Sequence, residues 1–251
     1  MNNNYTLGLV SVSFRNLAPV DIIKTAKNAN LTAIEWGSDV HAPCNDRQKL
    51  EEIARLQKEY DISCSSYGTY FKLGVTPIEE LEGYINSAKI LGTNLLRIWC
   101  YNKNGNDMNK EERQNLLAES IKATEIAKKH GAVLCLECHK NSFTEKLEDA
   151  LWLIETVNSE NFKTYWQPFQ WQLENENLIY AKGISKHTKH IHVFNWKDSL
   201  KLPLSLAITE WKDYLKNFST PKTLLLEFMP NDKVEEVLTE ANSLREIIEN
   251  L

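Results

Sequence analysis

Residues 95–137 read LLRIWCYNKNGNDMNKEERQNLLAESIKATEIAKKHGAVLCLE, and this stretch decides the fold class. Two short apolar runs, LLRIW and VLCLE, enclose a long helical segment. Asn109 with Glu112 three residues later is a capping-box pattern that predicts the helix start, and Gly131 after a basic last turn predicts its end. A strand, a helix and a second strand in this order predict a parallel β-α-β unit.

The same alternation runs along the whole chain. We predict eight strands, over residues 7–12, 33–36, 62–65, 95–99, 133–137, 164–167, 189–194 and 223–228. The helices between and after them are predicted over residues 19–28, 46–60, 77–91, 110–130, 146–157, 174–184, 209–217 and 233–249. Eight units in 251 residues indicate an α/β fold in which residues 1–251 form one (β/α)8 TIM barrel domain. The first predicted strand is not followed by a glycine-rich phosphate loop, which argues against a dinucleotide-binding fold.

Composition excludes several classes of function. The net charge is −5 and the basic residues are scattered among acidic ones, so we expect no nucleic-acid partner. Apolar runs are all too short to cross a bilayer, so we expect no membrane partner. Five cysteines, an odd number, and an N-terminal sequence without a secretion signal favour a reducing, cytoplasmic location.

Ionisable residues interrupt the late apolar runs. Glu137 ends the fifth predicted strand, His192 lies in the seventh and Glu227 lies in the eighth, with Gln167 at the same height in the sixth. The active site of a TIM barrel lies at the carboxyl ends of its strands, so these four side chains should converge. Two carboxylates and an imidazole can bind a divalent cation. The alternatives are a structural ion pair for the glutamates and a hydrogen-bonded core position for the histidine.

Cys135 and Cys138 have a C-x-x-C spacing, which can indicate a metal or redox site. On an extended strand these two side chains point to opposite faces, and no second pair accompanies them. We therefore interpret them as small core residues, with metal or redox chemistry as the alternative.

Several segments together resemble a known family. They are EWGSDVHAP (35–43), SSYGTYFKLG (65–74), LLRIWC (95–100), LCLECH (134–139), HIHVFNW (190–196) and LLLEFMP (224–230). Their order and spacing resemble the xylose isomerase-like TIM barrel superfamily of sugar isomerases, ketose 3-epimerases, inosose dehydratases and apurinic endonucleases, including sugar phosphate isomerases and epimerases. The resemblance implies a divalent metal ion (Mn²⁺, Mg²⁺, Co²⁺ or Zn²⁺) held by Glu137, Gln167, His192 and Glu227.

Two positions depart from that family pattern. Gln167 stands where the family has an aspartate ligand, and Gln170 replaces a further histidine. An amide oxygen can bind a hard cation but brings no negative charge, so we expect metal binding to be weakened. A barrel that binds sugar without turning it over therefore stays open as an alternative.

The resemblance implies a metal-dependent isomerase or epimerase that moves a proton through a metal-stabilised enediolate, with Glu137 and Glu227 as base and acid. Dehydration by the same first step also stays open. The partner is expected to be a small sugar or sugar derivative, and barrels of this kind often form homodimers. An apurinic endonuclease of this superfamily needs a three-metal cluster rich in histidine and a basic groove. This chain has six histidines in all and a net negative charge, so that function is disfavoured. Expected substrate contacts are His41, Trp99, His139, Gln170, Trp196 and Lys201. The expected cations for an anionic group such as phosphate or carboxylate are Arg97 and either Lys197 or Lys201.

Overall fold

Each predicted strand has its counterpart in the barrel of the computed structural model, which describes residues 5–197, 199–220, 222–249 and 251. The barrel has eight parallel strands, which are β1 Thr6–Val10, β2 Ala33–Gly37, β3 Ser63–Leu73, β4 Leu95–Cys100, β5 Val133–Glu137, β6 Phe162–Trp166, β7 Thr188–Val193 and β10 Thr223–Leu226. They close in the order β1-β10-β7-β6-β5-β4-β3-β2, and β2 pairs with β1. Two short strands, β8 (Asn195–Lys197) and β9 (Leu200–Leu202), form an antiparallel pair outside the barrel.

A helix follows each barrel strand and packs on the outside. These helices are α1 Pro19–Asn28, α2 Arg47–Tyr60, α3 Leu81–Leu91, α4 Lys110–Lys129, α5 Leu147–Val157, α6 Glu174–Ile184, α7 Ile208–Leu215 and α8 Val237–Glu249. The predicted (β/α)8 TIM barrel is therefore confirmed. Among the helices of the described residues, none is both long and apolar enough to cross a membrane.

Helix α4 forms as its sequence predicts. The Asn109 side chain accepts a hydrogen bond from the Glu112 backbone N–H at 2.9 Å, and the Glu112 side chain accepts one from the Asn109 backbone N–H at 2.8 Å. Gly131 follows the helix with a φ of 69°, a left-handed conformation that glycine adopts without steric cost. These two ends fix where strand β5 begins.

The largest departure from the predicted bounds lies in β3, and the last strand ends two residues earlier than predicted. Strand β3 extends to Leu73 because β2 and β4 both pair with it, although its sequence is polar. Strand β10 ends at Leu226 rather than at residue 228, and Phe228 has a φ of 57°. A left-handed phenylalanine cannot continue a strand, so the chain turns directly after Glu227.

Alternate residues of the strands point into the barrel and build the base of the site. A small inner core consists of Val10, Val12, Leu95, Cys135, Tyr165 and Leu225. Arg97, Glu137, Gln167 and Glu227 each follow one of these residues by two positions and therefore point to the same side. The inner core thus supports the polar side chains at the strand ends.

The cysteine pair of strand β5 is divided between two cores, as the strand geometry predicts. Cys135 lies in the inner core, whereas Cys138 lies in the larger core between barrel and helices. Both are free thiols and fully buried, and burial raises the pKa of Cys138 to about 12. A thiol that stays protonated at neutral pH is a poor nucleophile and metal ligand, which favours the core interpretation.

Candidate active site

Four predicted side chains converge at the carboxyl ends of strands β5, β6, β7 and β10. His192 Nδ1 lies 3.0 Å from Gln167 Oε1, 3.4 Å from Glu227 Oε2 and 3.7 Å from Glu137 Oε1. All four residues are buried. One imidazole nitrogen therefore faces three oxygen atoms that come from three different strands.

Arg97 of strand β4 lies directly beside this group. Its Nε donates a hydrogen bond to Glu35 Oε1 at 2.9 Å, and its Nη1 donates a short hydrogen bond to Glu137 Oε2. The guanidinium is buried between two carboxylates of the protein itself. Arg97 is therefore the partner of Glu35 and Glu137, and it also lines the cavity above the cluster, so its predicted contact with an anionic group stays a prediction.

Glu35 of strand β2 is a member of the cluster that sequence reasoning missed. Its carboxylate is fully buried and lies 3.4 Å from His192 Nε2, and it accepts a hydrogen bond from Ser66 Oγ at 3.0 Å. Gly68 gives it room, because a Cβ on that residue would lie 2.7 Å from Glu35 Oε1. A carboxylate inside the apolar run AIEWG was the available signal, and it is the same signal that identified Glu137 and Glu227.

Burial and neighbouring charges shift the pKa values of these groups in opposite directions. Burial raises the pKa of Glu227 to about 7, although His192 acts against the shift. Burial works against the charged form of His192, but the carboxylates of Glu227 and Glu35 outweigh it and raise its pKa to about 9. Burial also opposes the charge on Glu35, yet Arg97 and His192 hold its pKa well below the usual range. In the metal-free site the protonated ring of His192 is therefore a second positive charge beside the Arg97 guanidinium.

The charge balance and the donor atoms fit a divalent cation. Glu35, Glu137 and Glu227 face one guanidinium, which leaves an excess of two negative charges when His192 is neutral. Glu227 Oε2 is buried and accepts no hydrogen bond from the described residues. Donor atoms that share one ion at bond lengths of about 2.0–2.3 Å lie roughly 3–3.6 Å apart, close to the separations around His192 Nδ1. Carboxylate, amide and imidazole donors also suit Mn²⁺, Mg²⁺, Co²⁺ or Zn²⁺.

The described part of the chain nevertheless contains no group of three histidine, cysteine or carboxylate side chains already arranged as a metal centre. Two features distinguish this cluster from a preformed metal centre. Arg97 holds one oxygen of Glu137, and the donor on strand β6 is the neutral amide of Gln167. The residues present supply the donors and the charge for an ion, with Gln167 as the weakest member of the set.

A cavity of about 290 Å³ opens above the cluster. Trp99 and His139 stack on its wall with ring centroids 4.8 Å apart and an angle of 19° between the planes. Trp196 and Gln170 also line it. The indole Nε1 atoms of Trp99 and Trp196 are buried and donate no hydrogen bond within the described residues.

Two predicted substrate contacts lie elsewhere. His41 is buried outside the cavity wall, where its Nε2 lies 3.2 Å from the carbonyl oxygen of Leu17 and its ring meets Trp36 edge to face. Lys201 lies on strand β9 behind the wall, with its Nζ 5.3 Å from the Trp196 ring centroid and in a short ion pair with Asp232. The structure thus brings Trp99, His139, Gln170 and Trp196 together and leaves His41 and Lys201 apart.

A family model and a curated protein match the sequence of this chain. A family model described as "Xylose isomerase-like TIM barrel" matches residues 23–205. A 3-dehydroshikimate dehydratase of Bacillus anthracis is 26% identical over 166 residues, which is 62% of this chain and 59% of that protein. The chain thus spans less than two thirds of the length of this curated relative.

Solved structures share the barrel over nearly its full length. The probable 3-DHS dehydratase AsbF of Bacillus anthracis has a TM-score of 0.80 at 17% identity, covering 95% of this chain and 98% of that one. The IOLI protein, solved with a zinc atom, has a TM-score of 0.78 at 15% identity, covering 98% of each chain. At these identities the likeness shows the fold.

Proposed function

Since the chain belongs to the xylose isomerase-like TIM barrel family, we propose that it is a divalent-metal-dependent isomerase or epimerase of a small sugar or sugar derivative. One observation carries the proposal. His192 Nδ1 and oxygen atoms of Gln167, Glu227 and Glu137 surround one point, beside a cavity of about 290 Å³. A polar convergence of this kind at the carboxyl ends of barrel strands is where TIM-barrel enzymes carry out their chemistry.

Glu137, Gln167, His192 and Glu227 would hold the ion. When bound, the ion supplies Lewis-acid stabilisation of negative charge on the substrate's carbonyl and hydroxyl oxygens. Glu227 is the better placed proton acceptor of the two glutamates, because its Oε2 has no hydrogen-bond donor in the described chain. Glu137 is more constrained, because Arg97 holds its Oε2. Glu227 therefore removes the proton next to the carbonyl, and Glu137, which faces the same Nδ1 atom of His192, is the second acid–base group.

The fate of that proton decides the reaction. Its return to the opposite face of the same carbon gives an epimer, and its delivery to the neighbouring carbon exchanges aldose and ketose. Trp99 and Trp196 line the cavity and supply aromatic surface for the C–H groups of a sugar. His139 and Gln170 add polar groups on the same wall.

A dehydratase is the second candidate, favoured by the 26% identity to a 3-dehydroshikimate dehydratase. Dehydration begins with the same proton abstraction and then expels a β-hydroxyl group. A barrel that only binds sugar is the third candidate, favoured by the neutral Gln167 and Gln170 in place of charged or imidazole donors.

Deuterium exchange tests the proton abstraction next to the carbonyl, which is the first step of isomerisation, epimerisation and dehydration alike. The metal-free protein is incubated in D₂O with Mn²⁺, Mg²⁺, Co²⁺ or Zn²⁺ and a panel of ketoses and cyclic keto-polyols, and proton NMR follows the carbon next to the carbonyl. We expect metal-dependent exchange that Glu227→Gln lowers at least 100-fold and that the exposed control Glu235→Gln leaves unchanged.

The products separate the candidates. A new sugar isomer supports the proposed function, and loss of water with a new double bond supports the dehydratase. Binding of sugar without exchange, with every metal, would refute both enzyme proposals. Gln167→Asp adds a charged donor and is expected to tighten Zn²⁺ binding about tenfold or more, measured by calorimetry.

A further inference from the structure

We propose that Glu35 is a positioning residue of this site, which orients His192 directly and Glu137 through Arg97 and thereby sets the affinity for the divalent ion. The inference rests on the proposed function, since the ion belongs to that proposal. It adds a residue from strand β2, on the side of the barrel away from the ligand-bearing strands β5, β6, β7 and β10.

The first step concerns the two ring nitrogens of His192. Glu35, paired with the Arg97 guanidinium, is a carboxylate and has only acceptors to offer. Its Oε2 lies 3.4 Å from His192 Nε2, so Nε2 carries a hydrogen toward Glu35. In the metal-free protein Nδ1 donates to Gln167 Oε1 at 3.0 Å, and it is the nitrogen whose lone pair would bind an ion placed beside the oxygens of Gln167 and Glu227. A carboxylate behind a metal-binding histidine fixes the tautomer and the ring orientation in this way.

The second step passes through Arg97. Its guanidinium is planar and presents its donors in a fixed geometry. Glu35 accepts from Nε at 2.9 Å, and Glu137 accepts from Nη1 on the same plane. Removal of the charge at Glu35 therefore frees Arg97 to turn, and the orientation of Glu137 is lost with it.

Gly68 and Ser66 lie against the Glu35 carboxylate and limit the orientations that it can adopt. A Cβ at position 68 would lie 2.7 Å from Glu35 Oε1 and 2.9 Å from Arg97 Nη2, so an added methyl group would force the carboxylate or the guanidinium to move. Ser66 fixes the other oxygen of Glu35 through its hydroxyl at 3.0 Å. Tyr165 meets the His192 ring edge to face with centroids 5.1 Å apart. Every group that touches the carboxylate limits its rotation.

Zn²⁺ alone is the probe, and its affinity is measured by calorimetry with the metal-free protein. In Glu35→Gln the amide nitrogen faces either Arg97 Nε or His192 Nε2, and both positions need an acceptor. We expect the Zn²⁺ affinity to fall about 10- to 100-fold. The matched control is Glu240→Gln, the same substitution at another buried glutamate on helix α8, and it should retain wild-type affinity.

Ring ¹⁵N NMR of His192 provides a readout that does not depend on zinc. In the metal-free wild type we expect a protonated Nε2, and in Glu35→Gln we expect the Nε2 proton to be lost or its signal to shift strongly. A purely structural role for Glu35 would lower only the urea midpoint and would leave both the ring signals and the Zn²⁺ affinity of the folded protein unchanged.

The outcomes separate the two proposals. Equal Zn²⁺ affinity in wild type and Glu35→Gln overturns the role of Glu35 and leaves the proposed function standing. Failure of the wild type to bind Zn²⁺, Mn²⁺, Mg²⁺ or Co²⁺ overturns the metal-dependent function and with it the role of Glu35 in setting affinity. If Glu35→Gln does not fold, Ser66→Ala takes its place, because it frees the carboxylate to rotate. That variant should weaken Zn²⁺ binding about 2- to 10-fold, and an unchanged affinity would refute the inference.

Discussion

The replacement of Arg97 by methionine separates the charge of this side chain from its packing. Methionine keeps a long, unbranched side chain inside the barrel and removes the guanidinium between Glu35 and Glu137. Both carboxylates then stay buried without their shared cation. The expected result is a large loss in the free energy of unfolding, because buried charges that lose their partner regain no water.

The structure sets the size of that loss. Arg97 is 4% exposed, so solvent screening of the pair is slight. Removal of one partner from a buried ion pair costs about 3–5 kcal/mol, and the loss of two contacts at once places Arg97→Met at about 4–5 kcal/mol. The control is Arg55→Met, whose partner Glu59 lies one turn away and whose pair is 64% and 54% exposed. That substitution should cost at most about 0.5 kcal/mol.

Urea unfolding followed by circular dichroism measures both variants. With a slope of about 1–3 kcal/mol per molar urea, the Arg97→Met midpoint should fall by at least about 1 M, while the Arg55→Met midpoint should stay within error. A loss below about 1 kcal/mol for Arg97→Met would refute the reasoning. It would mean that the two carboxylates do not depend on the guanidinium.

Three further predictions concern single positions. Asn109→Ala removes the capping box with Glu112 and should lower the free energy of unfolding by about 1 kcal/mol in urea titrations, and an unchanged midpoint would show that the cap is dispensable. Gly68→Ala places a methyl group 2.7 Å from Glu35 Oε1, so it should cost about 1–3 kcal/mol and weaken Zn²⁺ binding, and wild-type values for both would contradict the crowding argument. Burial raises the pKa of Glu240 to about 7, so its contribution to stability is complete below about pH 4.3 and is lost as the pH rises through 7. Glu240→Gln should therefore match wild type at pH 4.5 and exceed it by about 1–2 kcal/mol at pH 8 in thermal or urea unfolding, and a pH-independent difference would contradict the assignment.

The order of the barrel elements could be predicted from sequence because each strand is a short apolar run and each helix has an apolar face. The extension of strand β3 could not, since the polar segment SSYGTY has no strand pattern of its own. Pairing with β2 and β4 supplies its hydrogen bonds. The hairpin of β8 and β9 was also missed, because strands of three residues are too short for a periodic pattern.

Only part of the candidate site could be predicted from the sequence. A carboxylate in an apolar run is conspicuous, and Glu137 and Glu227 were found in this way. The partner of such a carboxylate cannot be recognised from sequence in the same way, because Arg97 lies 62 positions from Glu35 and 40 from Glu137 along the chain. His41 was predicted as a substrate contact but does not line the cavity. Its position after a strand suggested a substrate contact, but its side chain turns toward the carbonyl oxygen of Leu17.

The cluster takes each of its polar side chains from a different barrel strand, and every strand carries its own loop and helix. A substitution at one strand end therefore leaves the backbone of the neighbouring strands in register. Gln167 directly follows strand β6, and its Oε1 lies 3.0 Å from His192 Nδ1, where a charged side chain would join the same cluster. For protein engineering, the proposed function implies that metal affinity can be adjusted at position 167 while the cavity wall around Trp99 and Trp196 is varied separately.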